Sequence, residues 1–148
     1  MNVPSMRGIR LWDANRRYTE KFYAMQTSGA WQDRANWTQV PFGVADYPFR
    51  GDAILEGENF WIFPHSTRYD AVFLYAKTDA EGTPGRHNEL YRVFDAPDGR
   101  RNYGEGSQSV KVVKNEPDEI AVLSEAHPHA RGGTVTTAYR ILRGRRWV

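Results

Sequence analysis

The run His65-Ser66-Thr67-Arg68-Tyr69-Asp70 places an imidazole, a guanidinium, a phenol and a carboxylate directly after an apolar stretch, residues 60–64. Such a run at a strand end is where a rigid sheet commonly presents a site. A second group of the same types, Arg86-His87-Asn88-Glu89-Leu90-Tyr91-Arg92, follows further along the chain and could oppose the first. His and Tyr can act as base and acid at a sugar carbon, while Arg neutralises a uronate carboxylate. The catalytic candidates are therefore His65, Tyr69 and His87, and the substrate-binding candidates include Arg68, Arg86, Tyr91 and Arg92. The competing reading is a surface turn closed by His65 and Tyr69, with Arg68 paired to Asp70. Residue types alone leave both open.

Trp offers a flat apolar face that suits a pyranose ring, and it is equally the bulkiest core filler. Trp61 lies inside an apolar run and reads as core. Trp31 and Trp37 stand beside Gln32, Asp33, Arg34 and Asn36, so they are the candidate sugar platforms, with packing as the alternative. His127-Pro128-His129 would project two imidazoles to one side of an extended backbone, an arrangement used for metals. Pro128 and Gly132-Gly133 read equally as a hairpin loop, and no metal site is assigned. Arg143, Arg145 and Arg146 crowd a hairpin tip, with Lys111 and Lys114 on adjoining strands. That cluster could meet a polyanion, but Glu116, Asp118 and Glu119 dilute its field, and a solvated turn is the expectation.

The elements that must hold these residues are short and β-rich. Runs at 52–55, 59–64, 71–77 and 89–94 are separated by turn chemistry, notably Pro97-Asp98-Gly99. Residues 71–76 are apolar on both faces, as in a strand covered on both sides. Residues 108–114, 119–125 and 134–143 form consecutive hairpin strands, the first pair joined by Asn115-Glu116-Pro117-Asp118. Strands about every ten residues imply an all-β, antiparallel sandwich. Residues 1–50 read as an irregular segment packing on that sheet, with a short strand at 37–40, and 51–148 as the sandwich region, within one domain. Asp13 could cap a short helix near residues 13–28, although residues 17–25 also alternate as a strand. After Gly144-Arg145-Arg146, Trp147-Val148 reads as the start of a further strand. The expectation is that this is the front part of a larger sandwich, or that a partner chain completes the edge.

Composition narrows the function classes. The 148 residues carry 20 basic and 18 acidic side chains, 14% aromatics and no Cys. Aromatic content argues for a folded core despite a mean hydropathy of -0.70. A net charge of +2 does not point to nucleic acid. No apolar run approaches the ~20 residues of a membrane-spanning helix, and the N-terminus has no apolar signal region. There is no Walker A loop, dinucleotide-binding Gly pattern, His-Glu-x-x-His or Gly-x-Ser-x-Gly, so no cofactor is expected.

The segment from Gly132-Gly133-Thr134-Val135-Thr136 through Tyr139-Arg140-Ile141-Leu142 to Gly144-Arg145-Arg146-Trp147-Val148 resembles a hairpin of the galactose-mutarotase-like "supersandwich" domains of polysaccharide lyases and glycoside hydrolases. There a Thr-rich strand runs into a Tyr-x-Leu core, a Gly turn and a Trp-containing return strand. The resemblance covers about a quarter of the chain and brings no catalytic motif with it. It implies a carbohydrate-associated β-sandwich that binds or helps to process a polysaccharide, periplasmic or secreted. Two alternatives stand beside it. One is a non-catalytic interaction or assembly domain, completed by self-association or a partner strand at its C-terminal edge. The other is a small-molecule barrel of lipocalin type.

Overall fold

Ile9-Arg10-Leu11-Trp12-Asp13 alternates from one face to the other, and this alternation makes the first strand, β1 (Arg10–Asp13), rather than an irregular lead-in. The computed structural model describes residues 8–17, 33–64, 71–79, 82–91, 93–95, 101–103, 106–128 and 135–145. After a single 3-10 turn (Asp33–Asn36) come β2 (Thr38–Gln39), β3 (Ala53–Glu56), β4 (Phe60–Pro64), β5 (Ala71–Lys77), β6 (Pro84–Tyr91), β7 (Val93–Asp95) and β8 (Arg101–Tyr103). The chain then runs through β9 (Gly106–Asn115), β10 (Glu119–Pro128) and β11 (Val135–Leu142).

The pairings are antiparallel throughout. Six strands form one sheet in the order β2-β1-β3-β4-β5-β6, three form a second in the order β11-β10-β9, and β7 pairs with β8. The two larger sheets meet face to face. Leu11, Leu55, Phe60 and Ile62 of the first pack with Val112, Ile120, Val122, Tyr139 and Ile141 of the second, and Ile9 and Val40 complete the cluster. Full burial of an aliphatic or aromatic side chain contributes roughly 1.5–3 kcal/mol, so this shared layer joins the sheets into a sandwich. Two separate sheets also exclude the closed barrel.

The other face of the first sheet is covered as well. Trp37, carried in by the segment between the 3-10 turn and β2, packs with Ala14, Ile54, Trp61, Phe63 and Tyr75, and Trp12 lies against them. The sheet is thus a middle layer, and all residues of β3 and β4 are buried. Aromatic edges pack onto aromatic faces here: Trp37 meets Trp61 at 6.0 Å and 77°, and Phe63 meets Tyr75 at 5.4 Å and 71°.

Three expectations change. The short strand expected at 37–40 is β2, but the N-terminal segment also contributes β1, which lies inside the sheet between β2 and β3 instead of packing on it. Asp13 ends β1 and caps no helix: Asn15 turns the chain at φ 56°, in the left-handed region that Asn tolerates. Residues 18–28 of the helix expectation lie outside the described residues. The expected strand at 89–94 begins earlier, at Pro84, a position where a strand tolerates Pro, and is divided between β6 and β7. The hairpin of β9 and β10 follows its sequence reading, with Pro117 and Asp118 between paired Glu116 and Glu119. Val113 is a one-residue bulge and stands 54% exposed.

The crossover after β1 closes tightly at Gly51. The Asp52 amide donates to the Arg16 carbonyl at 3.1 Å, and a Cβ on Gly51 would stand 2.2 Å from the Arg16 amide nitrogen. Gly51→Ala is therefore expected to cost about 2–4 kcal/mol in chemical denaturation, because both colliding groups are backbone. Gly8→Ala, where an added Cβ meets nothing within 4 Å, should stay within about 1 kcal/mol of the parent.

Candidate functional site

The register of the first sheet decides which of the sequence-selected residues come together. Pro64 pairs with Val72, and Ala71 pairs with Tyr91. The β4–β5 connection, residues 65–70, therefore leaves and re-enters the sheet at the end where β6 finishes. Tyr91 of the second sequence group reaches that end. His87 does not: it pairs with Tyr75, four residues back along β6, about 13 Å away at strand spacing. Arg86 lies further still. The group that looked compact in sequence is drawn out along a strand. Trp31, His65, Arg68, Tyr69 and Arg92 lie outside the described residues.

Trp37 is 7% exposed, its ring within 6.4 Å of Trp12, 6.0 Å of Trp61 and 6.2 Å of Phe63. It is core, and the sugar-platform reading does not apply to it. The physical reason is the second covered face of the sheet, which needs a large apolar filler there. His127 belongs to β10, so the backbone there is extended, while His129 lies outside the described residues. Among the described residues no group of three or more His, Asp or Glu side chains is placed to hold a metal. At the hairpin tip Lys114 and Arg140 both donate to Glu119. The hydrogen bond from Arg140, then that from Lys114, lowers the Glu119 carboxyl below its ordinary range, and the Lys114 ammonium is raised mainly by the same contact.

Three carboxylates are buried, Asp13, Asp52 and Glu56, and sequence reading anticipated none of these placements. Asp13, fully buried, accepts backbone N–H groups from Asn15 at 2.8 Å, Arg50 at 2.8 Å and Gly51 at 2.9 Å. Tyr47 hydrogen-bonds to it, and its phenol is pushed above the ordinary value, first by burial and then by the Asp13 charge. Glu56, 2% exposed at the end of β3, accepts from the Trp12 indole N–H at 2.7 Å and from Lys77 Nζ at 2.7 Å, with Arg10 at 3.5 Å. The Lys77 ammonium also lies 4.6 Å from the Trp61 ring centroid, and the Arg34 guanidinium lies 4.8 Å from it. The Trp61 N–H donates to the Gly82 carbonyl at 3.0 Å. The groups that meet Glu56 come from β1 and β5, so no local pattern around it announces them.

One open trough, of about 340 Å³, runs between residues 45–48 and the edge of β9 at Val110, Lys111 and Val112. Tyr47 and Pro48 supply its apolar wall, and Asp46 and Lys111 its charges. Among the described residues no helix is long and apolar enough to cross a membrane. No family model, curated protein or solved structure gives a significant match to the chain.

Lys77 meets the Glu56 carboxylate almost out of solvent while Arg10 reaches it from a partly exposed position, so removing Lys77 or Glu56 leaves a largely buried charge without its nearest partner. Lys77→Met and Glu56→Leu are each expected to cost about 3–5 kcal/mol in urea unfolding. The double substitution should cost clearly less than their sum, because it removes both charges together.

Proposed function

We propose that the chain is a carbohydrate-associated β-sandwich domain of galactose-mutarotase-like type, which binds or helps to process an acidic polysaccharide. The observation that carries the reading is the pairing of Ala71 with Tyr91, beside the point where residues 65–70 join the sheet. In this reading Arg68 and Arg92 neutralise uronate carboxylates, and Tyr91 and Trp31 offer aromatic faces. His65 and Tyr69 are the base and acid at the sugar carbon. His87 and Arg86 lie further along β6, away from that end of the sheet. The sandwich supplies rigidity and the chemistry lies in the connections. A polysaccharide substrate places the protein in the periplasm or outside the cell.

A second reading, an assembly domain completed by another chain, draws on β11. Among the described residues this strand pairs with β10 alone, and its Thr136, Ala138 and Arg140 are exposed. One titration separates the two. Oligouronates should quench Trp fluorescence saturably, and Arg68→Ala should weaken binding about tenfold. Neutral glycans should bind less tightly. No response to any neutral or acidic glycan would reject the saccharide reading and leave the assembly reading ahead.

A further inference from the structure

The outward edge of β9 follows from its hairpin. Glu116 and Glu119 exchange both backbone hydrogen bonds, so the next pair, Asn115 and Ile120, turns its N–H and C=O groups away from the ladder. The Asn115 carbonyl does point outward, since it accepts the Gly43 amide at 2.8 Å. β10 is regular on its side of the bulge, so the same alternation turns Leu123 toward β9, and its partner Lys111 inward. Val112 and Val110 therefore direct their N–H and C=O groups away from β10, and both line the trough.

Residues 40–43 already use this edge at its first outward position. Asn115 fixes them there, its side-chain amide donating to the Val40 and Pro41 carbonyls at 3.2 and 2.8 Å. The chain then turns away at Gly43, φ 82°, and residues 45–48 form the far wall. What opens between wall and edge is a slot faced by a row of backbone donors and acceptors, which is what strand addition requires.

We infer that this slot binds an extended segment of a partner protein as an added strand on β9, independently of any saccharide site. The side-chain alternation defines the segment. Val110 and Val112 point to the core side, where Tyr47 and Pro48 form the wall, so inward residues of the guest are apolar. Lys111 is exposed on the outer side and pairs in register with the apolar Leu123, so the guest residue beside it is acidic. The recognised pattern is apolar-acidic-apolar in extended backbone.

The test is titration of the full chain, followed by amide NMR, with a synthetic Val-Glu-Val peptide extended by Thr on both sides. The expected result is saturable shifts at the Val110, Lys111 and Val112 amides, with slowed hydrogen exchange at Val110 and Val112. A copy of the peptide N-methylated on its pairing edge should bind at least about tenfold more weakly. Lys111→Glu should weaken the acidic peptide similarly and favour a Val-Lys-Val version. Val110→Pro, which removes an outward donor without touching the β10 ladder, should abolish binding; should it not fold, the N-methylated peptide carries the same point. The proposal is overturned if no shift occurs at residues 110–112, if binding ignores N-methylation, or if this edge proves to be covered by a second copy of the chain.

Discussion

Burial of the β3–β4 hairpin on both faces is the constraint from which the rest of the architecture follows. A sheet with one wet face alternates apolar and polar residues, but Ala53-Ile54-Leu55-Glu56 and Phe60-Trp61-Ile62-Phe63-Pro64 are buried at every position. Such a hairpin needs two covers. The β9–β11 sheet supplies one, through Ile120, Val122 and Ile141. Trp37 and Trp12 supply the other, which is why the segment before β2 must fold back over the sheet. A doubly buried layer also has no water for its polar groups, so every carboxylate within it must find donors in the protein. Glu56 takes them from Trp12, Lys77 and Arg10, and Asp13 from the backbone at residues 15, 50 and 51. These two carboxylates tie β1, β5 and the turn before β3 into one arrangement.

What the sequence made legible were features whose cause is local. Residues 71–77 form β5 as read, because six successive apolar residues need no distant information to be recognised as a strand. The β9–β10 turn was readable because Pro117 and Asp118 are turn residues wherever they stand. The failures share a cause too. Asp13 looks like a helix cap because a cap and a crossover clamp use the same chemistry, a short carboxylate accepting backbone N–H groups. Two of its three donors are Arg50 and Gly51, and nothing near residue 13 reveals them. Trp37 offers the same two uses of one surface, and only the presence of Trp61 and Phe63 behind it decides for packing. Within the candidate site, the register sets Tyr91 opposite Ala71 but His87 opposite Tyr75, because sequence proximity to Tyr91 hides a strand's rise per residue.

The two proposed surfaces differ in chemistry, and Val110 lies between their neighbourhoods. On one side it lines the slot of Tyr47, Pro48 and Lys111; on the other it borders a void of about 20 Å³ with Phe49 and Pro64, the last residue of β4. A strand added to β9 would thus lie next to the place where residues 65–70 leave the sheet. Sandwich folds carry binding on loops and edges held by a rigid core. Here the rigidity is the doubly covered layer, and both proposed surfaces lie at its margins.

The double covering is tested most directly by native-state hydrogen exchange read residue by residue. The backbone amides of β3 and β4 should exchange through global unfolding alone, with the slowest rates in the protein and a free energy equal to that from denaturant unfolding. Amides at the outward edge of β9 should exchange far faster. Exchange of Ile54, Leu55, Trp61 or Ile62 through a smaller, local opening, ahead of Ile120 and Val122 in β10, would contradict the account, because a layer sealed on both faces cannot open before the sheets part.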